Sequence, residues 1–159
     1  NKLNAQIEIY KRTGDIMSVI LLDFDDFKEI NDQHGHAAGD ELLARISAVI
    51  MDRIRTTDSR FRYGGDEFVV LAASADLKTS SQLAEDLRAL VDADQSVSGY
   101  WVSISLGVAE YQPDESMLAW LGRADVALFE SKRLGRNRVM TSHKSDSSDQ
   151  ALVSNQHSS

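Results

Sequence analysis

Four carboxylates stand where their neighbours would let them do chemistry. Asp23 and Asp25 lie two residues apart at the end of a nearly continuous apolar run, Ile16 to Phe24, and Asp66 and Glu67 follow directly on Gly64-Gly65. If the run is a strand that persists, Asp23 and Asp25 share a face, and a tight Gly-Gly turn can bring Asp66 and Glu67 beside them. Two unit charges ~4 Å apart cost about 4 kcal/mol at an effective dielectric near 20. A fold that gathers carboxylates at a buried strand end therefore needs a raised pKa, a basic partner or a hard cation. Oxygen donors without cysteine or a convincing histidine pair suit Mg²⁺ or Mn²⁺. The plainer alternative is that Asp25 and Asp26 cap the next helix and the glycines only turn the chain.

Two stretches carry basic residues that answer these acids or a ligand. Lys132, Arg133 and Arg136 close a helical pattern, where they either meet a phosphate or complement the helix dipole for about 0.3–1 kcal/mol. Arg55-Thr56-Thr57-Asp58 lies just upstream of the glycine pair. Its arginine can fork onto a phosphate, although an exposed Arg and Asp near a helix end are also commonplace.

The elements that must position these residues follow from periodicity. Residues 1–13 read as a helix through Leu3, Ile7 and Tyr10, stopped at Thr13-Gly14-Asp15. The run Ile16 to Phe24 reads as a central strand buried on both faces. A short helix containing Phe27 and Ile30 breaks near Gly35, and a longer one carries the stripe Leu42, Leu43, Ile46, Val49, Ile50 and Ile54, with Asp40 in its first turn. Arg60 to Tyr63 and Phe68 to Leu71 read as a hairpin around Gly64-Gly65-Asp66-Glu67. A helix through Leu83, Leu87, Leu90 and Val91 follows, then a strand from Tyr100 to Ala109 with Val102, Ile104, Leu106 and Val108 on one face. A last helix, Met117 to Lys132, ends at Gly135, and Asn137 to Met140 offers a short final strand. A hairpin inside an otherwise alternating order predicts an α+β fold: a mixed, largely antiparallel sheet flanked by helices. Neither glycine-rich phosphate loop of the doubly wound folds is present. Trp101 and Trp120 are read as packing residues only.

Composition sets outer limits. The 159 residues suit one domain. No apolar run approaches the ~20 residues a membrane span needs. The absence of cysteine excludes disulfides and thiolate metal sites and fits a cytoplasmic location. A formal charge of −8 argues against a nucleic-acid or membrane-surface binder. The chain opens on Asn1 rather than Met and is read as a piece of a longer protein. From residue 141 to 159 it is too polar to offset its ordering entropy, which predicts a disordered tail after a domain at 1–140.

Three separated motifs, in order, resemble the GGDEF family of diguanylate cyclase domains. Leu22-Asp23-Phe24-Asp25-Asp26-Phe27-Lys28-Glu29-Ile30-Asn31-Asp32, with Gly35-His36 and Gly39-Asp40, is similar to the first signature. Arg62-Tyr63-Gly64-Gly65-Asp66-Glu67-Phe68 matches the hairpin that names the family, and Ser131-Lys132-Arg133-Leu134-Gly135-Arg136-Asn137 matches its phosphate-contact segment. The family's opening acidic-Leu-Thr segment and glycine turn are missing, so the domain is expected to be trimmed at its N-terminus.

The resemblance implies a palm-like fold of the nucleotidyl cyclase (ferredoxin-like) type and the condensation of two GTP into cyclic di-GMP and two pyrophosphates. It implies two Mg²⁺ (or Mn²⁺) ions per active site, bound by Asp23, Asp66 and the Phe24 carbonyl. Asn31 and Asp40 are implied to read guanine, with His36 in the same pocket. Lys28 is implied to stabilise the phosphates in the transition state, and Lys132 and Arg136 to hold the terminal phosphates. Asp66 is the usual proton acceptor, with Glu67 as the neighbour that could take its place. At its offset from the hairpin, Arg55 with Asp58 matches the family's product-inhibition site. Also implied are a transient homodimer, because each domain holds one GTP, and an upstream sensor or receiver domain in the parent. That parent is cytoplasmic, or membrane-bound with this part in the cytoplasm; neither nucleic acid nor direct membrane contact is expected. The alternative within the family is a catalytically silent module that binds GTP or cyclic di-GMP as a receptor.

Overall fold

The structure, a computed structural model, describes residues 2–55, 58–62, 67–94 and 101–142. Helix α1 (Lys2–Thr13) leads into strand β1 (Met17–Phe24), then α2 (Phe27–His34) and α3 (His36–Arg53). Strands β2 (Ser59–Arg62) and β3 (Glu67–Ala73) precede α4 (Leu77–Ala93). Strand β4 (Ile104–Glu110), α5 (Met117–Arg133) and β5 (Val139–Ser142) complete the order. The strands form one sheet in the order β2-β3-β1-β4-β5. Every pairing is antiparallel except β4 with β5. This is the mixed, largely antiparallel α+β architecture that the hairpin and alternating elements predict.

Strand β1 is apolar at nearly every position because it is central and covered on both faces. On one face Ile20, Leu22 and Phe24 join Phe68, Val70, Ile104, Leu106 and Val108, packed by α3 through Leu42, Ile46 and Ile50 and by α4 through Leu83, Leu87 and Val91. On the other face Met17 and Val19 join Val69, Leu71 and Ala109 beneath Ile7 of α1 and Trp120 and Ala124 of α5. The buried Trp120 satisfies its indole by donating to the Ala109 carbonyl at 3.0 Å. Trp101 is half exposed and donates to the Asp92 carbonyl.

Several boundaries differ from the sequence reading. α3 begins at His36, directly after Gly35, so Asp40 lies beyond its first turn. The apolar stripe begins only at Leu42, and the preceding turn carries no periodic signal that would announce it. Strand β5 runs through Ser142, two residues past the expected boundary. Parallel pairing of Thr141 with Val108 and Ser142 with Ala109 gives that polar segment hydrogen-bond partners its composition does not advertise. The rest of the expected tail lies outside the described residues, as does Tyr100. Asp26 precedes α2 in a left-handed conformation with no side-chain cap, so it does not cap that helix, and neither does Asp25.

Candidate active site at the end of strand β1

The register of the sheet brings two of the expected carboxylates face to face. Asp23 of β1 is directly opposite Glu67 of β3, on the sheet face covered by α5. Directly opposed residues of antiparallel strands have Cβ atoms about 4.5–5.5 Å apart, and like charges in that relation repel. The compensation comes from α5: the Lys132 ammonium is hydrogen-bonded to Asp23 Oδ2. Asp23 is buried whereas Lys132 is a third exposed, so the cation reaches in from the solvent side. A basic partner is thus one of the three compensations open to a carboxylate cluster.

Hard oxygen donors held at a strand end, with their charge already answered by a cation, are also suited to a divalent metal. Among the described residues no group of three His, Cys, Asp or Glu side chains forms a metal cluster. The expected third carboxylate, Asp66, lies outside the described residues with Tyr63, Gly64 and Gly65. Phe24, expected to lend its carbonyl, is the last residue of β1 and its ring is buried against Phe27 and Phe68.

Asp25 does not join the metal-type donors. Its Oδ2 accepts from Ser103 Oγ at 2.6 Å and from the Asn137 N–H at 3.0 Å, and its Oδ1 accepts from Ser105 Oγ at 2.6 Å. Sequence reasoning missed all three partners. The available signal was serine at 103 and 105, two small polar residues on one face of an otherwise apolar strand.

A second part of the site lies between α2 and α3. Asn31 reaches Gly39 so closely that a methyl group built on Gly39 would overlap Asn31 Oδ1 and stand 3.0 Å from its Cγ. That Oδ1 is buried and accepts no hydrogen bond. A buried amide oxygen left so costs about 1–3 kcal/mol, which makes it a candidate for a ligand's donor. Asp40 and His36 are exposed on α3, and Lys28 is exposed in the first turn of α2.

Basic residues at and just after the end of α5 reach the tip of β1. Lys132 sits on Asp23, and Arg136 Nε lies 3.6 Å from Asp26 Oδ1, just beyond β1. Cations from one helix end therefore flank the tip of the central strand, next to the carboxylates and to the start of α2.

Arg55 and Asp58 lie elsewhere. Asp58 is buried and accepts from the Arg55 N–H at 3.0 Å, from Arg55 Nε at 3.3 Å and Nη2 at 3.1 Å, and from the Ala73 N–H at 3.1 Å. Arg55 Nη2 also donates to the Ala73 carbonyl at 2.7 Å. Ala73 pairs with Met17, at the opposite end of β1 from Asp23. Six residues of strand separate those ends, about 20 Å at ~3.3 Å per residue. The half-exposed Arg55 borders a cleft of about 520 Å³ that Arg53, Lys78 and Gln82 also line. Arg53 pairs with Asp86 on α4, which holds the Asp86 carboxyl below its usual range.

Comparisons with known proteins agree with this fold and give its family. Residues 1–138 match the family described as "Diguanylate cyclase, GGDEF domain". Diguanylate cyclase DosC of Escherichia coli (strain K12) is 41% identical over 134 residues, covering 80% of this chain and 29% of the relative. Diguanylate cyclase VdcA of Vibrio cholerae is 37% identical over 135 residues, covering 80% and 39%. The chain therefore spans well under half the length of these curated relatives. Among solved structures, the GGDEF domain of DgcB from Caulobacter crescentus in complex with c-di-GMP superposes with a TM-score of 0.82 at 30% identity, covering 89% of this chain and 86% of that one. The active GGEEF domain of a diguanylate cyclase from Vibrio cholerae does so with 0.82 at 31%, covering 89% and 92%. With its sheet order, its facing carboxylates and a family match over nearly all the described residues, this chain belongs to the GGDEF family of diguanylate cyclase domains.

Proposed function

We propose that this domain is a diguanylate cyclase, joining two GTP into cyclic di-GMP with release of two pyrophosphates. What supports this most is the pair Asp23 and Glu67, opposed across β1 and β3 with Lys132 on Asp23. That arrangement gathers acid and base at the one strand end that two basic residues and an amide pocket also border.

Asn31 and Asp40 bind the guanine edge, an amide and a carboxylate answering its acceptor and donors, with His36 in the same pocket. Lys132 and Arg136 hold the terminal phosphates, and Lys28 stabilises the charge that grows on them. Asp23, Asp66 and the Phe24 carbonyl would hold Mg²⁺ or Mn²⁺, two ions per site. When bound, the metal supplies charge stabilisation on the attacking and leaving oxygens of an in-line displacement. In each of the two steps a ribose 3′-oxygen forms a bond to the α-phosphorus of the facing GTP, and the bond to pyrophosphate breaks. The 3′-hydroxyl proton passes to Asp66 or to its neighbour Glu67. Each domain holds one GTP, so two copies must face each other in a transient homodimer. An upstream sensor or receiver domain in the parent protein promotes that encounter.

Cyclic di-GMP also acts as a feedback inhibitor at Arg55. Because the Asp58 carboxylate is engaged by Arg55 and Ala73, Asp58 serves there as the holder and the guanidinium as the ligand contact. The distance of ~20 Å along β1 makes such inhibition indirect. The domain extends through Ser142, the last residue of β5, rather than ending at 140.

The test is product formation from GTP with Mg²⁺ over a range of protein concentration, read by chromatography. Cyclic di-GMP rising more steeply than linearly with protein is expected. No product from a forced dimer that still binds GTP would overturn catalysis and identify a receptor instead.

A further inference from the structure

Asp25 is a buried carboxylate for which the proposed chemistry has no task. It stands two residues from Asp23, yet its two oxygens are taken by Ser103, Ser105 and the Asn137 N–H. Its own N–H donates to the Ser103 carbonyl at 3.0 Å. The two serines come from β4 and its lead-in, and the amide from the loop that joins α5 to β5.

That loop has an unusual backbone. Gly135, Arg136 and Asn137 have φ of 124°, 65° and 47°. Glycine takes such values freely and asparagine tolerates them, but Arg136 is disfavoured there by its Cβ atom. Two such residues in succession persist only where their surroundings over-determine the path. Three ties do so here. The Arg136 N–H donates to the Ser131 carbonyl at 3.0 Å, and Arg138 Nε donates to the Arg136 carbonyl at 3.0 Å. The Asn137 N–H donates to Asp25. The last anchors the loop to the end of β1, and the Leu106 N–H, donating to the Arg138 carbonyl at 3.0 Å, ties its far end to β4. The Asn137 side chain extends the anchor to α4, accepting from Arg88 Nη1 at 3.0 Å and donating to Asp92 Oδ1 at 3.2 Å.

We infer that Asp25 is a positioning residue: by binding the Asn137 N–H it fixes the left-handed path of residues 135–137 that aims Arg136, with Lys132 at its root, at the phosphates of the nucleotide. This rests on the cyclase reading of the site. It goes further by giving the second carboxylate of the Asp23-Phe24-Asp25 stretch a role opposite in kind to that of the first. Asp23 meets charge that arrives with the substrate; Asp25 is satisfied by the protein and shapes the cationic loop.

The distinguishing readout is affinity for the phosphates separated from affinity for the base. 3′-Deoxy-GTP cannot be cyclised, and GMP keeps guanine but lacks the terminal phosphates. Both are titrated against the parent domain, Asp25→Ala and Asp25→Asn, in the same Mg²⁺ buffer. For Asp25→Ala we expect 3′-deoxy-GTP to bind at least tenfold more weakly while GMP stays within twofold of the parent. Asp25→Asn keeps an acceptor for the Asn137 N–H, and Ser105 can turn its hydroxyl to accept from the new amide. Its loss should have the same selectivity and be smaller, and it carries the test if the alanine variant does not fold. Equal losses for both ligands would mean a general structural role and overturn the inference, as would unchanged affinity for both. A parent domain that fails to prefer 3′-deoxy-GTP over 3′-deoxy-ATP would instead overturn the guanine site itself, so the two failures are separable.

Discussion

Gly39→Ala should separate function from stability, because the obstacle to a side chain there is Asn31, which we propose reads guanine, and not the fold. Gly39 is buried in α3 with a helical backbone, so alanine is conformationally welcome. Glycine in a helix interior is about 0.5–1 kcal/mol worse than alanine. Against that gain, the new methyl would overlap Asn31 Oδ1 and lie 3.2 Å from Phe27 Cζ. The first conflict is relieved by swinging a flexible amide outward, and the second by a shift of a few tenths of an ångström. Gain and strain are of similar size, so the net change in unfolding free energy should stay within about 1 kcal/mol. The cost falls on ligand binding. An Asn31 amide turned away loses its hydrogen bond to the base and leaves a buried polar group of the ligand unpaired, about 1–3 kcal/mol. At 1.4 kcal/mol per decade that is about 5- to 150-fold in KM for GTP.

Initial cyclisation rates against GTP, with ATP as competitor, measure the loss and the accompanying fall in preference for guanine; urea unfolding measures the stability. Asn31→Ala supplies the control, since it removes the group that the methyl displaces. The two substitutions should therefore be non-additive, the double variant being no worse than Asn31→Ala alone. A Gly39→Ala variant with normal KM would refute the placement of Asn31 in the substrate pocket. Losses that simply add would refute the steric route.

Other sites yield sharper structural expectations. A methyl on Gly107 would overlap the Ala124 carbonyl and the Leu128 N–H of α5, which are backbone atoms that cannot rotate away; Gly107→Ala should cost about 3 kcal/mol in urea unfolding, and a loss under 1 would contradict the close approach of β4 and α5. Arg55→Ala should keep cyclase activity and abolish inhibition by added cyclic di-GMP, an unchanged inhibition curve being the contrary result. Asp58→Ala should be the less stable of the two, because it leaves the buried Ala73 N–H without its acceptor, about 1–3 kcal/mol. Arg88 and Arg53 hold the Glu85 and Asp86 carboxyls below their ordinary values. A lowered folded pKa stabilises above the ordinary value and loses that contribution as pH falls through the folded one. Urea midpoints should thus decline below about pH 4, less steeply in Glu85→Gln with Asp86→Asn; identical slopes would exclude these pairs as the cause.

What the sequence discloses about this domain depends on how local the cause is. The apolar run of β1, the alternation of β4 and the stripes of α3 and α4 each follow from a periodicity contained within the element, and each element forms there, although β4 begins only at Ile104, four residues after the expected Tyr100. The start of α3 does not, because His36-Ala37-Ala38-Gly39 has no apolar period, and Gly39 is fixed by what Asn31 needs from the neighbouring helix. Asp58 likewise shows in the sequence only as the end of an Arg-x-x-Asp pattern, and its partner beyond Arg55, Ala73, lies fifteen residues away.

Asp23 and Asp25 carry this furthest. In the sequence they are equivalent: same type, same strand end, same predicted face. Both are buried, and both turn to the side of the sheet where α5 lies. Their difference comes from residues far along the chain, 78 to 112 positions away for the donors and 44 for Glu67 opposite Asp23. Ser103, Ser105 and Asn137 give Asp25 short bonds from hydroxyls and a backbone amide, which are built into the sheet and its last loop. Lys132 gives Asp23 an ammonium on a flexible stem that is partly exposed to solvent. Fixed neutral donors make a carboxylate part of the scaffold, since nothing can replace them without breaking the fold. A mobile cation leaves its carboxylate able to exchange that partner for another charge. The same residue type is thus locked into the scaffold at one position and left open to exchange two residues earlier, and the nature of the donor decides which.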